Sequence, residues 1–169
     1  MRKLLKVIDS VSGYTGGLIK WFCYALILVV VYDVIMRYVF NAPPMWAFDT
    51  AVMLGGTIYV LGWAYTHRYR GHVRVDVIYH HLSHRAKAII DAAGTLFLFF
   101  PLLALVIHES FRWMWRAWVI HERFMETYWY PPVAPFRTIV MLGFCLLLLQ
   151  GIAQFIRDSY IVIKNKPYD

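Results

Sequence analysis

The sequence predicts an all-α membrane protein: four transmembrane helices, an N-terminal amphipathic interfacial helix and helical connecting segments, in a single membrane domain over residues 1–169. Hydrophobic residues make up 60% of the chain and charged ones 16%, with a mean hydropathy of +0.53, more apolar than soluble domains run. Four apolar stretches have the ~20 residues needed to cross a ~30 Å hydrocarbon layer as helix. None shows the period-two alternation of a barrel strand, and in lipid a helix satisfies its own backbone.

At the N-terminus, Leu4, Ile8, Val11 and Thr15 share a helical face that Arg2, Lys3, Lys6 and Asp9 largely avoid. That pattern predicts a helix over 1–16 lying in the interface, a frayed basic leader being the alternative. The first span, 17–39, is too long for a signal-peptide core and no small-residue cleavage site follows it, so Met1 is expected to be retained. The paired prolines of "FNAPPM", Phe40 to Met45, cannot continue a helix and set up an antiparallel hairpin with the second span, 46–66. The third span is 86–107, where Pro101 is expected to kink the helix, and the fourth is 133–156.

Between the last two spans lies "HESFRWMWRAWVIHERFMETYWYPP", His108 to Pro132. Arg112, Arg116, Arg123 and Glu126 approximate one helical face, with Phe111, Trp115, Trp118 and Met125 towards another, so a helical extension or interfacial helix is expected to end at the prolines. Trp113, Trp129 and Tyr130 suit an aromatic belt. The segment serves membrane anchoring or receives a protein partner, and both readings stay open.

Most Lys and Arg fall in the N-terminal leader, in the second connection and in the tail. Arg37, Arg112, Arg116, Arg123 and Arg137 are left for the opposite side, which predicts cytoplasmic termini. The net charge of +7 follows from this topology and from attraction to anionic lipid, without nucleic acid. Cys23 and Cys145 lie in separate spans and read as packing residues. Gly55, Gly56 and Gly62, with Ala51, are expected to let helices approach closely.

Ionisable residues inside spans are the candidate sites. Asp33 and Arg37 stand i, i+4 on one helical face, and Asp49 is expected in the first turn of the second helix, favoured there by the helix dipole and a nearby Arg37. Arg37 and Asp49 lie near span ends and only Asp33 is deeper, which favours anchoring or partner contact over a solute site. His67, His72, His80, His81 and His84 cluster in the second connection without the carboxylates or cysteines of a structural zinc site, so the segment reads as basic and interfacial. All seven histidines lie outside the spans or at their ends, which argues against a haem-bearing respiratory anchor. No nucleophile elbow, phosphate-cradling loop or zinc-protease motif is present, so neither catalysis nor a cofactor is expected.

Together, "RYVFNAPPMWAFD", Arg37 to Asp49, "RGHVRVDVIYHHLSHR", Arg70 to Arg85, the four-span layout and the basic amphipathic N-terminus resemble one family. It is the small membrane subunit (DctQ-like, or Q subunit) of tripartite ATP-independent periplasmic (TRAP) transporters. The family often has a glutamate pair after the hairpin tryptophan, where this chain has Phe48 and Asp49. The resemblance implies a structural subunit of the bacterial inner membrane, in a one-to-one heterodimer with a large transport subunit. A periplasmic protein would deliver an organic acid, and sodium coupling would reside in the large subunit. It places Arg37, Trp46 and Asp49 near the periplasmic surface and Gly71, His72, Arg74 and Asp76 near the cytoplasmic one, with Asp33 and Gly55 as further anchoring or interface candidates. A haem anchor, or a stand-alone channel or carrier, is the alternative.

Overall fold

A computed structural model describes residues 2–69 and 83–164, and among them every regular element is a helix. The order is α1 (Arg2–Tyr38), α2 (Met45–Arg68), α3 (His84–Gly94), a π-helical turn (Thr95–Phe99), α4 (Phe100–Val119) and α5 (Ala134–Lys164). Four segments among the described residues are long and apolar enough to cross a membrane: Leu5–Tyr38, Met45–Arg68, Arg85–Val119 and Ala134–Lys164. They overlap the stretches 17–39, 46–66, 86–107 and 133–156.

The expected interfacial helix and the first span are one unbroken helix, α1. Towards its start α1 also has a face packed against the rest of the chain. Leu5 and Ser12 are buried and Asp9 is half-buried, whereas Val7, Val11, Tyr14 and Leu18 point outward. The reason is a set of polar partners on α2 and α5, described below. At its other end α1 closes at Tyr38, with Asn41 in the left-handed region (φ 52) and the Ala42 N–H on the Met36 carbonyl at 2.9 Å. Asparagine tolerates that conformation better than a branched residue does. Pro44, extended at φ −75 and ψ 126, then admits α2 at Met45.

The disturbance expected at Pro101 takes the form of the π turn. The Phe100 N–H bonds the Thr95 carbonyl, five residues back, just before the proline that cannot donate to its own turn. α3, the π turn and α4 thereby make one continuous helical rod.

That rod ends at Val119, well before the prolines that were expected to stop it. The cause is His121, left-handed at φ 50, with the Glu122 N–H closing on the Ala117 carbonyl at 3.1 Å, the 6→1 bond of a Schellman cap. Residues 120–133 then fold back as a loop. The Phe124 N–H reaches the Pro131 carbonyl at 2.9 Å, Arg123 and Pro132 form an isolated antiparallel bridge, and the Val133 N–H reaches the Glu122 carbonyl at 3.0 Å.

α5 is the hub of the bundle, packing against α1, α2, α3 and α4. Small residues set its spacing. A Cβ on Gly143 would collide with the Val60 side chain and stand 3.2 Å from the Val60 backbone, so only glycine allows α2 so near. Gly56 performs the same service on α2 for the Phe136 ring, but Gly55 faces open space and Gly62 makes an ordinary contact with Ile19. Of the three glycines expected to permit close approach, Gly56 alone is tightly packed within this chain.

Candidate functional site

Polar side chains gather towards the two ends of the bundle. At the hairpin end, Arg37 meets Asp33 through Nη2 at 3.0 and 3.1 Å, one helical turn apart as the spacing requires. The Arg37 side chain is 49% exposed and that of Asp33 23%, so solvent still reaches the pair. Trp46 stacks on Tyr32 with ring centroids 5.6 Å apart, which fixes the start of α2 against α1.

Asp49 behaves otherwise than its sequence position suggests. α2 begins at Met45, which puts Asp49 in the second helical turn, and its side chain is buried at 1% exposure. Its partner is Thr127 of the 120–133 loop, whose hydroxyl donates to Oδ2. Arg37 is occupied by Asp33 on its own helix. The same Thr127 oxygen accepts from the Trp129 N–H at 3.3 Å, so a buried carboxylate and a loop backbone are held through one hydroxyl.

A second tie fixes that loop from the other side. Arg137 of α5 forks onto Glu122 at 2.7 and 2.8 Å, donates to the Trp113 carbonyl at 3.2 Å and lies over the Trp113 ring at 5.4 Å. A bidentate pair with both partners mostly shielded is directional and resists splaying. Trp118 Nε1 adds a bond to Thr138 at 3.0 Å. Residues 120–133 are therefore fastened to α2, α4 and α5.

Towards the opposite end, Asp9 joins three helices. Its carboxylate takes Arg157 of α5 at 2.5 Å and Gln150 Nε2 of α5 at 3.2 Å, and its backbone carbonyl accepts from Arg68 of α2 at 2.7 Å. Ser12 donates to Gln150 Oε1 at 2.8 Å, and Gln154 donates to Asp158 at 3.2 Å. Ser12, Gln150, Gln154 and Asp158 are all buried. Buried polar groups in lipid are tolerated when they satisfy one another, which these do. Gly16 lets the Tyr65 ring lie against α1 beside this network.

This assembly is not among the sequence expectations. On sequence, Arg68 and Arg157 count with the charges of the second connection and the tail, and Asp9 lies off the apolar face of the N-terminal helix. The available signal was "QGIAQFIRD", where Gln150, Gln154 and Asp158 recur at i, i+4 and i+8 on an otherwise apolar helix. Thr127 carried no comparable signal.

Among the expected site residues, Asp33, Arg37, Trp46 and Asp49 share the hairpin end, Asp49 facing inward and the others partly outward. Gly55 is on α2 facing open space. Gly71, His72, Arg74 and Asp76, with His80 and His81, lie outside the described residues. Among the described residues no three His, Cys, Asp or Glu side chains gather as a metal site, and Cys23 and Cys145 are free thiols. What the polar groups do chemically is bind helix to helix and loop to helix.

Comparison with curated proteins gave no match. Residues 26–159 match the family model of the DctQ component of tripartite ATP-independent periplasmic transporters. The matched region runs from the middle of α1 to near the end of α5 and so includes both loop fastenings. A match over well more than half the chain, to a family of transporter components, agrees with four bilayer-length helices whose polar groups serve one another. The chain belongs to the DctQ family, the small multi-pass membrane component of tripartite transporters that also have large membrane and periplasmic binding components.

Proposed function

We propose that this chain is a structural subunit of a sodium-coupled importer of an organic acid. It binds the large membrane subunit one to one and widens that subunit's fixed frame in the bilayer. A periplasmic protein delivers the solute, and binding, sodium coupling and movement of the solute take place on the large subunit. The chain lies in the bacterial inner membrane with both termini cytoplasmic, as the skew of Lys and Arg favours.

One observation carries the scaffold reading: the polar groups in the bundle are spent on internal fastening. Asp9, Asp49, Gln150 and Arg157 each hold a partner within the chain. A solute site needs polar groups held ready for a ligand, and transporters place them on broken helices near the midplane. Much of the remaining surface is apolar. Leu28, Phe97, Leu98, Leu102 and Leu105 are each at least 65% exposed, a covering suited to lipid and to a large membrane neighbour. Asp33, Arg37, Trp46 and Gly55, on the outward side of the hairpin helices, are the candidates for contact with that neighbour.

Reconstitution tests this reading. Liposomes holding this chain with the large subunit, supplied with binding protein and an inward sodium gradient, should accumulate an organic acid. Liposomes holding this chain alone should not. Sodium-driven uptake by the chain alone, abolished by Asp33→Asn, would overturn the scaffold reading and make the hairpin a transport site.

A further inference from the structure

A groove of about 500 Å³ opens where the 120–133 loop meets the ends of α4 and α5. Its lining includes the exposed Arg123 and Glu126, the half-buried Phe136 and Val140, Trp113, and the Glu122–Arg137 pair. We propose that this groove binds one zwitterionic aminophospholipid of the adjoining leaflet. Its phosphate lies against Arg123, its primary ammonium against Glu126, and an acyl chain begins beside Phe136 and Val140.

Size and depth fit a lipid head and the start of its tail. The volume falls in the ~300–1,000 Å³ range of small-molecule sites. Val140 lies six residues into α5 from Ala134, about 9 Å along the axis, so the groove runs from the loop down into the apolar span. An occupant must therefore be polar at one end and hydrocarbon at the other.

Charge selects among the lipids. The groove is lined by two arginines and two glutamates, and Glu122 with Arg137 already form a bidentate pair at 2.7 and 2.8 Å. That leaves one cation and one anion facing the opening. Arg123 gives one N–H to the Tyr130 carbonyl at 3.4 Å, and a guanidinium has others for a phosphate. An anionic headgroup or a free carboxylate solute would meet Glu126 without a charge to offer it. A choline head has no N–H to donate, whereas a primary ammonium has three. The bridge between Arg123 and Pro132 and the Phe124 bond to Pro131 hold the loop in shape before the lipid arrives, which lowers the ordering cost of binding.

The test uses the full-length chain in phosphatidylcholine nanodiscs doped with photoactivatable phosphatidylethanolamine, phosphatidylglycerol or phosphatidylcholine. Crosslinks are mapped by mass spectrometry. The ethanolamine probe should label residues 122–140 at least about fivefold more than either other probe, a preference worth roughly 1 kcal/mol. Arg123→Gln and Glu126→Gln should each bring it down towards the choline level, and Val140→Trp should block labelling while leaving both charges in place. Equal labelling by the three probes, or strongest labelling by phosphatidylglycerol, overturns the proposal. So does loss of ethanolamine labelling when the large subunit is added, since the groove would then belong to a protein contact. The comparison of probes on the unaltered chain decides the matter even if a variant fails to fold.

Discussion

Asp9 of α1 and Arg157 of α5, 148 residues apart in the chain, meet at 2.5 Å with each side chain only 19% exposed. Removing either partner leaves the other charge shielded and uncompensated, which is costlier than losing both. Asp9→Ala or Arg157→Ala should each lower stability by about 1–3 kcal/mol, and the double substitution by less than their sum. Thermal unfolding of the four proteins in one detergent measures this. Strict additivity would show that the pair contributes no coupling.

Thr127 and Asp49 make a different kind of contact, a neutral donor on a buried carboxylate. Thr127→Val keeps the shape and removes the donor, so it should cost about 1–3 kcal/mol, whereas Thr127→Ser should cost far less. Limited proteolysis reads the result directly. The 120–133 loop should be cut faster in the valine variant and at an unchanged rate in the serine variant.

The Asp33–Arg37 pair predicts a separation between stability and assembly. The Arg37 side chain is half exposed, and exposed i, i+4 pairs are worth under ~1 kcal/mol. Arg37→Ala should leave the melting temperature of the isolated chain nearly unchanged while reducing copurification with the large subunit. If melting temperature and copurification fall in step, Arg37 acts inside this chain instead.

Gly143 and Gly55 should respond oppositely to one added methyl. At Gly143 a Cβ would collide with Val60 and force the helices apart, so Gly143→Ala should destabilise the isolated chain by about 1–3 kcal/mol. At Gly55 nothing lies within 4 Å, and Gly55→Ala should be neutral or slightly stabilising in the same assay. A clear loss at Gly55 in the isolated chain would contradict the packing described here.

Orientation is checked with single cysteines in a background without Cys23 and Cys145. Arg85 precedes the third span and is exposed, and Tyr128 tops the opposite loop at 80% exposure. An impermeant thiol reagent applied to intact cells should label Tyr128→Cys and spare Arg85→Cys until the membrane is opened. The reverse pattern would mean that the termini face the periplasm.

The four spans were legible because the bilayer imposes a length and a polarity that a run of residues either meets or does not. The hairpin was legible from Pro43 and Pro44, and the Asp33–Arg37 pair from helical spacing alone. The Asp9 network was not, since its bonds cross as many as 148 residues and periodicity does not say which faces of which helices meet. The end of α4 is hidden in the sequence for a related reason. A Schellman cap on histidine leaves no glycine to mark it, while the prolines further on draw the eye. The sequence places Asp49 by the helix dipole with Arg37 nearby, but a loop 78 residues away supplies its partner.

The separation of Asp9 from its partners also fixes an order of events during synthesis. α1 leaves the ribosome well before Gln150 and Arg157 of α5 are made. At roughly 5–20 residues per second, the first helix waits on the order of ten seconds before its carboxylate finds a counterpart. Through that interval a nascent chain displays an unanswered acid beside the bilayer, and a chain cut short before α5 displays it permanently. α5 thus supplies the counter-charge that a fragment ending before it lacks.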